Sequence, residues 1–262
     1  MRSLFIVALP RSLSSLTFRA ARDALGLKPP AWAEIGEILN HDLHTLSNWP
    51  KLSDSNRKFL TRERDPARFD SVLAFLEQVV SPEGYIYKDV VNPFVVAEWP
   101  GLRKLRVLKI RRNLADVAFA MQRRGWAYPR IVAPSDSPIS SAAGKFADSY
   151  FWNIAARRLL RAMWHGRATA VICRDAFLQG LICADDVLEK LPGESVQYDD
   201  LIASEEPLRQ ALVRLYPEAA IPPIRYIDDA FRLRYRETLA RRNTRPYRSI
   251  SHRIEQLRSR TR

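Results

Sequence analysis

The 262-residue sequence predicts an α/β fold, a three-layer sandwich with a central parallel sheet. Three observations carry that prediction. The run Leu4–Leu9 (LFIVAL) is continuously apolar and stops at Pro10, the pattern of a strand buried on both faces. Two further strand-like runs follow, RVLKI at 106–110 and ATAVIC at 168–173. Between them lie segments whose apolar residues recur every three or four positions, as on a helix face. Strands that alternate with helices build parallel sheets covered on both sides.

Taken in order, residues 14–25 read as a helix with Leu16, Ala20 and Ala24 on one face and Ser12 or Ser14 as its cap. Residues 28–66, rich in Pro, Trp, His and Asn, read as a partly helical excursion. Residues 68–80 carry apolar side chains at 69, 72, 73, 76, 79 and 80, a helical pattern. Tyr85 to Lys88 is a short strand candidate, and 93–99 a short helix with proline in its first turn. A helix over 114–124 follows the 106–110 strand. Three prolines and several serines make 127–147 a loop. A long helix is expected at 148–165 and another at about 175–191, ending at Pro192-Gly193. Ser195 to Tyr198 reads as a strand, and 207–216 and 228–241 as the last helices. The expected organisation is a single domain over 1–241, with 28–66 and 127–147 as excursions around a substrate site and 242–262 as a basic tail.

Apolar residues make up 47% of the chain and charged ones 27%, an ordinary globular composition. No apolar run approaches a membrane span, and the opening one is too short for a secretory leader, so the expected location is cytoplasmic. Cys173 and Cys183 are expected as buried thiols, and no Cys/His group has metal-site spacing. The net charge of +13 favours an anionic partner: nucleic acid, a membrane surface or a phosphorylated small molecule. Eleven arginines but only two glutamates fall within 232–262.

The most informative segment joins the first strand to the first helix: Pro10-Arg11-Ser12-Leu13-Ser14-Ser15. A helix N-terminus offers unpaired N–H groups and partial positive charge to a phosphate. Arg11 adds a cation there, and the three serines add hydroxyls. The Walker pattern G-x-x-x-x-G-K-S/T is absent, since this loop holds no glycine.

This segment resembles the 5′-phosphosulfate loop of the sulfotransferase family, which runs Pro, Lys or Arg, Ser, Gly, then two Ser or Thr. The strand Val107–Arg111 leading into Arg112-Asn113-Leu114-Ala115-Asp116 resembles the family's second motif, R-[N or D]-P-x-D, which ends in a serine at the position of Ala120. Val196-Gln197-Tyr198-Asp199-Asp200-Leu201 resembles its strand followed by Y-E-D-L. The resemblance spans about residues 4–201. It implies a P-loop-like fold and the donor 3′-phosphoadenosine 5′-phosphosulfate, with no metal. Arg11, Ser12, Leu13, Ser14 and Ser15 would then hold the 5′-phosphosulfate, and Arg112, with the Ala120 position, the 3′-phosphate. The chain departs from the pattern at Leu13 in place of glycine, Leu114 in place of proline, and Ala120 in place of serine. A positive φ at Leu13 would be costly.

Sulfuryl transfer needs cations for developing charge and a base for the acceptor proton. Arg11 is the expected cation. Tyr87-Lys88-Asp89 resembles the family's lysine-bearing strand end, and Val90 stands where one branch has a histidine base. Lys88 is expected near the transferring group. Glu34 is the first choice of base, Glu37 the second, with His41 and His44 nearby. Asp116 and Asp200 are expected to brace local structure. The expected acceptor is a hydroxyl or amine on a small molecule or glycan. The competing readings are a family member that has lost donor binding and a basic nucleic-acid-binding protein resting on the C-terminal arginines.

Overall fold

The structure, a computed structural model, describes residues 1–39, 59–63, 65–90, 92–123 and 167–260. Its centre is a four-stranded, fully parallel sheet: β1 (Leu4–Ala8), β2 (Ile86–Asp89), β3 (Arg106–Arg111) and β4 (Glu194–Gln197), in the order β2-β1-β3-β4. Leu4 lies in register with Ile86 on one side and Arg106 on the other, and Ile110 with Val196. All five residues of β1 are buried, as its unbroken apolar run requires.

Alternation along the strands divides the core in two. Phe5, Val7 and Val107 face the layer of α2 (Pro66–Val79), α3 (Pro93–Glu98), α4 (Leu114–Arg123), α5 (Arg167–Lys190) and α9 (Arg245–Ser259). Leu4, Ile6, Leu108 and Ile110 face α1 (Ser14–Leu25) and α7 (Glu206–Leu215). The other described helices are α6 (Tyr198–Ala203) directly after β4, α8 (Asp229–Arg242) before α9, and a 3-10 turn at Pro100–Lys104 before β3. The expected three-layer α/β sandwich around a parallel sheet is therefore what the chain forms.

Several local choices explain these boundaries. Asp65 caps α2 by accepting from the Arg68 amide at 3.1 Å, and Pro66 fills the first helical position. The C-terminus of α5 is closed by Lys109 of β3, whose Nζ donates to the carbonyls of Glu189 and Leu191 at 3.1 and 2.6 Å. Gly193 then turns the chain into β4 at φ 98°, and a Cβ there would stand 2.2 Å from the Val107 carbonyl oxygen.

Three expectations are corrected. The ATAVIC run at 168–173 is not a strand but lies in the first half of α5. It runs without punctuation into the helical pattern after it, and a short apolar run carries no period of its own. The helix expected to end the chain at 241 is followed by α9, inside the segment read as a basic tail. Tyr247, Ile250, Ile254 and Leu257 of α9 are buried at helical spacing against the core. Neither Ser12 nor Ser14 caps α1; the cap residue is Leu13, and no side chain bonds the helix start. The 127–147 loop, the 148–165 helix, His41 and His44 lie outside the described residues. No described helix is long and apolar enough to cross a membrane.

Candidate anion and transfer site

The order of the sheet determines what meets at its carboxyl edge. β1 is central, so the loop after it lies between the end of β2, which carries Lys88, and the end of β3, which leads to Arg112.

The loop is unusual in its backbone. Arg11 and Leu13 both adopt left-handed conformations, at φ 67° and 64°. Left-handed positions of this kind are an ingredient of the amide nests that bind anions. Leu13 occupies the conformation a glycine would take freely, at a cost of about 1–2 kcal/mol for a residue with a Cβ. That strain sits at the start of α1, where helix amides lack partners. Ser12 is wholly buried and its Oγ has no hydrogen-bond partner, an exception to the rule that buried polar groups are paired. Leu13→Gly is therefore expected to remain within about 1 kcal/mol of wild-type stability. Leu13→Val is expected to lose at least about 1 kcal/mol, because a β-branched residue tolerates positive φ poorly. Paired thermal unfolding curves check both.

On the β2 side, Lys88 is fully buried. Its Nζ donates to Ser15 Oγ at 2.7 Å, pairs with Glu37 Oε1 at 3.0 Å, and lies 5.5 Å from the centre of the Phe18 ring. Burial lowers the Lys88 pKa from its usual value of 10.5, against the opposing pull of Glu37. Glu37 arrives there because the stretch after α1 runs along the free edge of β2. The Ile86 amide donates to the Lys28 carbonyl at 3.0 Å, and the Lys88 amide to the Gly36 carbonyl at 2.8 Å. Gly36 makes this possible: at φ 74°, a Cβ would stand 2.2 Å from the Phe18 ring. Glu34, the first choice of base from sequence, is exposed three residues earlier, and the second choice, Glu37, is the carboxylate placed on Lys88.

On the β3 side, Arg112 stacks on the Tyr198 ring, with its guanidinium carbon 3.9 Å from the ring centre. It also donates to the Arg11 carbonyl, tying the two motif regions together. Its Nε is buried without a partner, and burial lowers its pKa. Beyond Arg112 opens a cavity of about 330 Å³ between the ends of β3 and β4, the start of α4, and helices α5 and α9. Ala120 is half-buried on α4 and is not among the residues lining this cavity.

Arg11 is exposed at the mouth of the loop, and Ser14 and Ser15 open α1. Asp116 and Asp199, on the first turns of α4 and α6, share one guanidinium: Arg242 meets Asp116 Oδ2 at 2.5 Å and Asp199 Oδ1 at 2.7 Å. Asp116 thus braces local structure as expected, and the acid beside it on Arg242 is Asp199. Sequence reasoning missed Arg242 and the Lys88–Ser15 contact. The Arg242 partnership spans more than 120 residues to Asp116 and has no local signal.

No protein-family model matches the chain, and no curated protein matches it. Among solved structures it is similar to a sulfotransferase from Alicyclobacillus acidocaldarius, at 14% identity and TM-score 0.41, covering 98% of this chain and 95% of that one. It is also similar to the sulfotransferase domain from the curacin biosynthetic pathway, at 13% identity and TM-score 0.36, covering 87% and 75%. A third is a retinol dehydratase in complex with retinol and PAP, at 14% identity and TM-score 0.27, covering 98% and 82%.

Proposed function

We propose that the chain is a sulfotransferase that moves a sulfuryl group from 3′-phosphoadenosine 5′-phosphosulfate to a hydroxyl or amine of a small molecule or glycan. The observation that carries this reading is the buried Lys88–Glu37–Ser15 contact beside a strained loop whose Ser12 hydroxyl is orphaned. A cation, a carboxylate and an anion cradle are what transfer of a charged group requires. The residues fit such a donor: the loop and Arg11 would hold its phosphosulfate end, and Arg112 with its orphaned Nε the nucleotide end.

The donor supplies an electrophilic sulfur and a phosphate leaving group. The chain supplies the rest. An ammonium has three N–H groups, and Lys88 commits two of them to Ser15 and Glu37. The third would meet the bridging oxygen of the leaving phosphate, where negative charge grows as the sulfur–oxygen bond breaks. Glu37 takes the acceptor proton as the new sulfur–oxygen or sulfur–nitrogen bond forms. Its pairing with Lys88 holds that carboxylate at the reacting edge of the sheet.

Adenosine 3′,5′-bisphosphate at about a millimolar is expected to raise the unfolding temperature, as any ligand selective for the native state does. The absence of a shift would remove donor binding and leave the reading of a fold without its donor. In a transfer assay with labelled donor, Glu37→Gln is expected to lower kcat about 10²-fold with bisphosphate affinity unchanged. Glu34→Gln is expected to leave kcat as it was. The reverse pattern would return the base to Glu34.

A further inference from the structure

The cavity beyond Arg112 has a wall made by the last helix of the chain. Ser251, Ile254 and Arg258 of α9 line it, opposite Arg112 and Asn113. Arg258 is held in place by Asp185 of α5, whose Oδ2 accepts from Arg258 at 2.8 Å and from Arg111 at 2.9 Å. Asp185 is almost wholly buried, and its other oxygen has no hydrogen-bond partner. One carboxylate therefore sets two guanidiniums side by side on the cavity wall. Three arginines face this space, with Asp185 and the exposed Glu255 as its acids. The amides at the start of α4 lie on the same wall, where Asn113 Oδ1 occupies the Ala115 amide at 2.8 Å.

This arrangement bears on the residue the second motif lacks. Ala120 offers no hydroxyl and does not line the cavity, whereas Ser251 does. We propose that α9 supplies the missing half of the nucleotide site: Ser251 and Arg258 replace the absent serine as donors to a ribose phosphate, and Asp185 is the positioning residue that keeps Arg258 beside Arg111. The inference rests on the proposed donor chemistry and assigns its recognition to a segment that composition alone describes as a solvated basic run. A guanidinium carries five N–H donors in a fork, so one side chain can address a carboxylate and a phosphate together. The proposed ligand group is a phosphate monoester on a nucleoside, sized to a space of about 330 Å³.

The test compares adenosine 3′,5′-bisphosphate with adenosine 5′-monophosphate by calorimetric titration of the full chain. Wild type is expected to prefer the bisphosphate. Arg258→Gln is expected to reduce that preference about tenfold and Ser251→Ala about threefold, each acting on the bisphosphate and sparing the monophosphate. Asp185→Asn is expected to resemble Arg258→Gln in this ratio, which a purely structural role would not change. Ser251→Ala removes one hydroxyl from a half-buried helix face, so it reports even if the charge variants unfold. An unchanged ratio in Ser251→Ala and Arg258→Gln, with wild type binding the bisphosphate, overturns the assignment to α9 alone. Failure of wild type to bind either nucleotide overturns both this assignment and the donor reading beneath it.

Discussion

Lys88→Met is expected to lower turnover by about 10²–10³-fold and to change how stability depends on pH. The two effects have one cause. Lys88 is fully buried, and burial lowers its pKa despite the Glu37 carboxylate 3.0 Å away. A lowered lysine pKa means that the fold holds the charged form at a cost. Methionine has similar length and no charge, so it removes that cost, and with it the donor to Ser15 and the partner of the Glu37 carboxylate. The pH dependence follows with a definite sign. The unfolded chain keeps its proton up to about 10.5, whereas the folded chain releases it earlier. Between the folded value and 10.5 the unfolded state binds more protons, so stability rises with pH through that window. Below the folded value the full penalty is present. Lys88→Met removes this slope, which denaturant titrations across the alkaline range would show. Activity runs the other way: the ammonium is the working form, so wild-type turnover falls as pH passes the folded value, before 10.5. A methionine variant with wild-type turnover would take Lys88 out of the chemistry.

What was legible in the sequence was whatever has a local cause. LFIVAL stopped at a proline and became β1, and the spacing over 14–25 became α1 with the same bounds. The loop between β1 and α1 was legible because strand, loop and helix are consecutive. Which of Glu34 and Glu37 meets Lys88 was not. Both occupy one short stretch, and the choice between them depends on how that stretch registers along β2 and on Gly36 passing the Phe18 ring. Helix α9 was missed for another reason: charge outweighed period. Tyr247, Ile250, Ile254 and Leu257 form a buried stripe, but the arginines between them dominate the composition. The cavity wall was missed with it, since the Asp185 carboxylate that joins Arg111 to Arg258 lies more than seventy positions from each.

The same C-terminal arginines yield the largest expected loss of stability. Arg242 ends α8 and lies between Asp116 at 2.5 Å and Asp199 at 2.7 Å. These acids sit on the first turns of α4 and α6, the helices that follow β3 and β4, so each also faces the positive end of a helix. Sharing two carboxylates raises the Arg242 pKa. The Asp116 side chain is only 3% exposed, so it cannot fall back on water when its partner goes. Arg242→Ala is accordingly expected to cost about 3 kcal/mol, the lower end for breaking a buried pair, since Arg242 itself keeps partial exposure. In a chain of this size that lowers the unfolding temperature by about 6–12 °C. Asp116→Asn in the Arg242→Ala background is expected to recover part of the loss, because the amide carries no charge to strand. A double-mutant cycle measures that coupling. The consequence reaches the site as well. Arg112 precedes α4 and stacks on Tyr198, the first residue of α6, so the two helix starts that Arg242 clamps are the two that hold this stack together. Arg242→Ala is thus expected to weaken bisphosphate binding as well as the fold. If Arg242→Ala lowered stability and left nucleotide affinity untouched, the clamp would be a structural brace independent of the Arg112 site.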